Sequence, residues 1–146
     1  HQRLRIPGHT PLLIMAFNGK VLLVDDEPHI RKFVGLLLKQ LGPVSIIEAC
    51  NGQEGVARYQ QERPDLVLLD VNMPILDGIG ALRSIRQIDP DVIAIMLTSL
   101  ASRQIVEEAA DLGAVNYVRK DTPKDELLKT LRETIEACFG DDEPAP

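Results

Sequence analysis

From Lys20 onward the chain alternates short apolar runs with longer stretches in which apolar residues return every three or four positions. Buried parallel strands read as continuous apolar runs and surface helices as single apolar stripes, so this alternation points to repeated βα units. The runs predict strands over residues 20–25, 44–49, 66–70, 92–98 and 115–119. Between the first two, Ile30, Phe33, Val34, Leu37, Leu38 and Leu41 form one stripe of a first helix, which Gly42-Pro43 ends. Three more helices are expected over residues 53–61, 79–88 and 102–112, the last with Ile105, Ala109 and Leu112 on one face and Gly113 as its stop. A fifth has the clearest boundary signals: Thr122 to cap it, Pro123 suited to its first position, and Asp125 to complete a weak capping box. Leu127, Leu128, Leu131 and Ile135 form its core face.

Five βα units with right-handed crossovers predict an α/β fold. The expected architecture is a doubly wound five-stranded parallel sheet flanked by five helices, flavodoxin-like, whose common strand order is 2-1-3-4-5. Residues 1–18 read as an N-terminal extension outside the fold argument, 19–140 as the domain, and 141–146 (Asp-Asp-Glu-Pro-Ala-Pro) as an acidic tail or a truncated linker.

Composition narrows the function. The 146 residues suffice for one core, and with Trp absent that core rests on Val, Ile, Leu and Ala. A net charge of −6 with no cluster of Lys and Arg speaks against direct nucleic-acid binding. No apolar run approaches the ~20 residues of a membrane span, and residues 12–17 are too short for a signal-peptide core. Cys50 and Cys138 lack metal-ligand spacing and read as free thiols. The expectation is a cytoplasmic protein with no membrane partner.

The chemistry gathers at strand ends. Strand one ends in VLLVDDE and strand three in DLVLLDVNMP, which puts Asp25, Asp26 and Asp70 at the carboxyl ends of strands that neighbour each other about 4.8 Å apart. Three carboxylates that close repel unless they share a cation, and a hard divalent ion such as Mg2+ suits oxygen ligands. Thr98 ends strand four, where its hydroxyl can donate to a phosphoryl group, and small Ser99 leaves room for one. Lys120 ends strand five, roughly 10 Å from Asp70 at the backbone, a span that a lysine stem mostly covers. Each residue alone has an ordinary explanation: an Asp pair can cap a helix, a lysine can be solvated, and Thr98 can be a plain strand residue. Their coincidence at the ends of strands one, three, four and five carries the information. His29 reads as a surface residue of the first helix, and Met15, Met73 and Met96 as packing residues.

On VLLVDDEP, LVLLDVNMPILDGI, MLTS and YVRK the chain resembles the receiver domain of two-component response regulators, the CheY-like family, from Gly19 to about Gly140. The resemblance implies that Asp70 is the phosphoacceptor. It also implies that Asp25, Asp26, Asp70 and the backbone carbonyl of Asn72 hold Mg2+, that Thr98 and Lys120 bind the phosphoryl oxygens, and that Thr98 and Tyr117 form the switch. Met73-Pro74 and Asp77-Gly78 match the loop after the phosphorylation site, where Gly78 is expected to permit a tight turn. By the same resemblance the protein is a signalling switch rather than a turnover enzyme. It would take its phosphoryl group from a histidine kinase or histidine phosphotransfer protein and signal through helix 4, strand 5 and helix 5. Arg103, Glu107 and Asp111 would lie on that docking or phosphorylation-dependent homodimer surface.

One position departs from the pattern: Asp121 follows Lys120 where the family usually has proline after a cis bond. A cis bond without proline costs about 2.5–4 kcal/mol, so a trans bond is expected, with Lys120 still reaching the site. Within the family reading, the chain is either a single-domain regulator or a receiver cut from a longer response regulator or hybrid kinase. A module that binds proteins without being phosphorylated would keep the fold but not need the constellation. A Mg2+-dependent aspartyl phosphohydrolase is the other-class alternative. It is weakened by Asn72, which stands where such enzymes carry a second catalytic Asp.

Overall fold

The computed structural model describes residues 17–100 and 102–140; the readings for residues 1–16 and for the tail 141–146 lie outside the described residues. The five apolar runs become parallel strands β1 (Lys20–Val24), β2 (Ser45–Ala49), β3 (Leu66–Leu69), β4 (Ala94–Thr98) and β5 (Asn116–Arg119). They lie in the order β2-β1-β3-β4-β5. Five described helices connect and follow them: α1 (Pro28–Lys39), α2 (Gly52–Glu62), α3 (Gly78–Ile88), α4 (Arg103–Asp111) and α5 (Lys124–Phe139).

Successive strand side chains point to opposite faces, and both faces are covered. On one, Leu22, Val24, Val67, Leu69 and Met96 pack with Tyr59, Leu82, Ile85 and Ala109 of α2, α3 and α4. On the other, Val21, Leu23, Leu66, Leu68, Ile95 and Leu97 pack with Val34, Leu37 and Leu38 of α1 and Leu131 and Ile135 of α5. Each fully buried Leu or Val contributes on the order of 1.5–3 kcal/mol, which fixes strand register. That register pairs Val24 with Leu69. Asp25 and Asp70, the next residues, therefore emerge side by side.

Three of the five described helices are capped by local side chains. Asn51, Asp77 and Ser102 cap α2, α3 and α4 by accepting from Glu54, Gly80 and Ile105 backbone N–H groups. Gly113, at φ +86°, takes the left-handed turn after α4. Thr122, however, does not cap α5. Pro123 occupies the N-cap position, one residue later than expected, and α5 has no side-chain cap. The Thr122 hydroxyl instead donates to the Arg119 carbonyl at 2.6 Å, closing the turn after β5.

The loop after β3 also differs from expectation. Gly78 is the first residue of α3 and does not have a positive φ. It is small because a Cβ there would collide with the Asp70 carbonyl. The positive φ falls on Ile75, at +74°, and Leu76 N–H donates to the Pro74 carbonyl at 2.8 Å. This is the γ-turn form with positive φ at its centre, the rarer and more strained of the two. The Lys120–Asp121 bond is trans, as expected. Among the described residues no helix is long and apolar enough to cross a membrane.

Candidate functional site

Three polar residues are buried at the carboxyl ends of the strands: Asp25 is 5% exposed, Asp70 4% and Thr98 not at all. Backbone pairing holds them there. Asp25 N–H donates to Ala49 at 3.0 Å, Asp70 N–H to Val24 at 2.9 Å, and Lys120 N–H to Thr98 at 2.9 Å.

Lys120 then reaches back across the crevice. Its Nζ lies 2.8 Å from Asp25 Oδ2, 2.8 Å from Glu27 Oε1 and 3.0 Å from Asp70 Oδ2. The ammonium donates hydrogen bonds to Glu27 and Asp70 and forms an ion pair with Asp25. Burial works against the lysine's charge, but the three carboxylates outweigh it and raise its pKa, so it stays cationic. Burial raises the Asp25 pKa, opposed by the Lys120 ammonium and by the Glu27 N–H that Asp25 Oδ1 accepts at 2.9 Å. Glu27 is held below the usual carboxylate range by its bond to Lys120.

Carboxylate oxygens of Asp25, Asp26, Glu27 and Asp70 come within 4.8 Å of one another. One ammonium faces four carboxyl groups, an imbalance that a hard divalent cation relieves. Asp70 Oδ1 is buried and accepts no hydrogen bond among the described residues. Leaving a buried carboxylate oxygen without a partner is costly, so this atom is suited to an incoming cation or donor. By donor type and by this unsatisfied atom, the residues present fit Mg2+. Asn72 is exposed in the loop just beyond.

Thr98 and Tyr117 are joined through one residue. The Leu100 N–H donates to Thr98 Oγ1 at 3.2 Å, and the Tyr117 hydroxyl donates to the Leu100 carbonyl at 2.8 Å. The Thr98 hydroxyl hydrogen thus remains available to a further acceptor. Burial of the ring and the charge of Asp70 raise the Tyr117 pKa, which keeps the phenol a donor. On α4, Arg103 pairs with Glu107 at 3.2 Å, and both side chains are well exposed. His29 is a surface residue of α1, as expected, 3.9 Å from Glu27.

Sequence reasoning missed two participants. Glu27 follows the Asp pair directly and was legible as a third acid, but its turn toward Lys120 is a tertiary contact. Arg31, one helical turn on, donates through a terminal guanidinium nitrogen to the Asp25 carbonyl at 2.5 Å and through Nε to Glu48 at 2.6 Å. It pins the backbone of the acidic loop to β2, and nothing in its spacing announces this.

Comparison with known proteins bears on the family and the fold. Residues 21–132 match the family model of the response regulator receiver domain. The chemotaxis protein CheY of Bacillus subtilis is 34% identical over 116 residues, which cover 80% of this chain and 97% of that protein. The probable transcriptional regulator ycf27 of Guillardia theta is 41% identical over 125 residues, 83% of this chain but 48% of that longer protein. Among solved structures, the CheX-CheY-BeF3-Mg complex from Borrelia burgdorferi contains a chain matched with a TM-score of 0.73 and 27% identity, over 82% of this chain and 88% of that one.

Proposed function

Because the chain belongs to the response regulator receiver family, we propose that Asp70 accepts a phosphoryl group from a phosphohistidine of a kinase or phosphotransfer protein and that the surface of α4, β5 and α5 reads out the change. An Asp70 carboxylate oxygen attacks phosphorus, the P–N bond breaks, and the imidazole leaves with the electron pair. Lys120, already beside Asp70 Oδ2, neutralises charge on the phosphoryl oxygens. Asp25, Asp26, Asp70 and the Asn72 carbonyl are the residues that would hold Mg2+, which supplies further neutralisation when bound. Thr98 donates its hydroxyl hydrogen to the phosphoryl group, and the Leu100 amide carries that displacement to Tyr117. Arg103, Glu107 and Asp111 lie on the proposed docking or homodimer surface.

The observation that carries this reading is Asp70 itself: a buried carboxylate with a lysine on one oxygen and, among the described residues, no partner on the other. The Borrelia burgdorferi structure, which contains CheY with BeF3 and Mg, supports the choice of metal by analogy. Treating the protein with acetyl phosphate and Mg2+ should add one phosphate, detected by intact mass spectrometry, and Asp70→Asn should add none. Equal labelling of that variant would sink the assignment.

A further inference from the structure

We propose that Glu27 is a positioning residue that keeps the Lys120 ammonium at the crevice while its other two partners are reassigned during phosphorylation; this rests on the phosphoacceptor reading of Asp70. Glu27 occupies the N-cap position of α1, where Ser, Thr, Asp or Asn would ordinarily bond the first helical N–H groups. It makes no such bond. Its side chain reaches instead to Lys120 Nζ at 2.8 Å. The backbone beneath is fixed: Glu27 N–H is held by Asp25 Oδ1, and its carbonyl accepts from Ile30 at 3.1 Å and Arg31 at 3.2 Å.

The three partners of Lys120 differ in what phosphorylation asks of them. Asp70 becomes the phosphorylated group. Asp25 is one of the residues that would hold the divalent cation. Glu27, half-exposed and at the N-cap of α1, is the partner that neither takes the phosphoryl group nor is among the residues proposed to hold Mg2+. Lysine is a point charge on a flexible four-carbon stem, so an ammonium that lost two of its three carboxylate contacts would regain much of its rotamer freedom. Glu27 holds it within reach of the phosphoryl oxygens.

The competing physical reading, that Glu27 is one more negative charge repelling an anionic donor, has the opposite sign. The full chain and its Glu27→Ala and Glu27→Gln variants should be phosphorylated with acetyl phosphate and saturating Mg2+, with Mg2+ affinity measured by calorimetry and folding by thermal unfolding. Glu27→Ala should be about tenfold slower, the worth of one charge-assisted hydrogen bond at the reacting group. Its Mg2+ affinity should fall by much less than its rate, and its melting temperature should be unchanged. Glu27→Gln, which keeps the acceptor oxygen, should recover most of the rate. In a Lys120→Met background, Glu27→Ala should have no further effect, because the residue acts only through that lysine. A Glu27→Ala variant as fast as the parent or faster would overturn the proposal, as would loss of Mg2+ affinity in parallel with rate. A parent chain that takes no label would remove both this proposal and the phosphoacceptor reading. A labelled parent with an indifferent Glu27→Ala removes this proposal alone.

Discussion

At the scale of single residues, the proposed function asks two tasks of the one Thr98 hydroxyl. Its oxygen accepts from Leu100 and its hydrogen is free, so it can meet a phosphoryl oxygen without first giving up its link toward Tyr117. Thr98→Ala should therefore still be phosphorylated at Asp70, yet show a smaller change in Tyr117 chemical shifts on phosphorylation than the parent. Undiminished shifts would rule out this route. Tyr59 makes a different test, of stability alone. The residue is 2% exposed and its hydroxyl donates to Asp89 at 2.7 Å. That bond holds the Asp89 pKa below its ordinary 3.8, while burial and Asp89 push the Tyr59 phenol above its ordinary 10.0. A depressed carboxylate contributes stability above its ordinary pKa and loses it as the pH falls through the folded value. A raised phenol contributes below its ordinary pKa and loses it as the pH rises through the folded value. Tyr59→Phe should thus cost about 1 kcal/mol in denaturant titrations across the neutral range, with the difference from the parent shrinking in strong acid. A difference that persisted unchanged at low pH would show that packing, not this bond, is responsible.

At the scale of elements, apolar runs and stripes made the five strands and five described helices legible, since burial imposes a period on the sequence. The parts that were not legible have their own physical reasons. Thr122 and Pro123 carry the right residue types for a helix start, but the turn after β5 claims the Thr122 hydroxyl. The loop after β3 invites a positive φ at its only glycine, whereas packing spends Gly78 on a close approach to the Asp70 carbonyl and puts the strained dihedral on Ile75. Asp25, Asp70, Thr98 and Lys120 could be placed because strand ends fix them, while Glu27 and Arg31 act through long side chains whose direction only tertiary contacts decide. Gly78→Ala probes the packing claim. The added methyl would meet main-chain atoms that cannot rotate away, so it should destabilise the fold by about 1–3 kcal/mol by denaturant titration and weaken Mg2+ binding as Asp70 shifts. A variant as stable and as competent for Mg2+ as the parent would refute the close-approach account.

At the scale of the whole molecule, a parallel sheet sends every strand's carboxyl end to one pole, which is why groups at the ends of β1, β3, β4 and β5 can meet in one crevice. The opposite pole has a plainer feature. Phe17, just before β1, and Phe139, at the last turn of α5, lie with ring centroids 5.2 Å apart. The described chain therefore enters and leaves by the same door, on the side away from the acidic groups. A neighbour joined at either end would meet the domain at its base and leave its chemical mouth unobstructed, so one fold can be attached before, after or within other chains without redesign of the crevice.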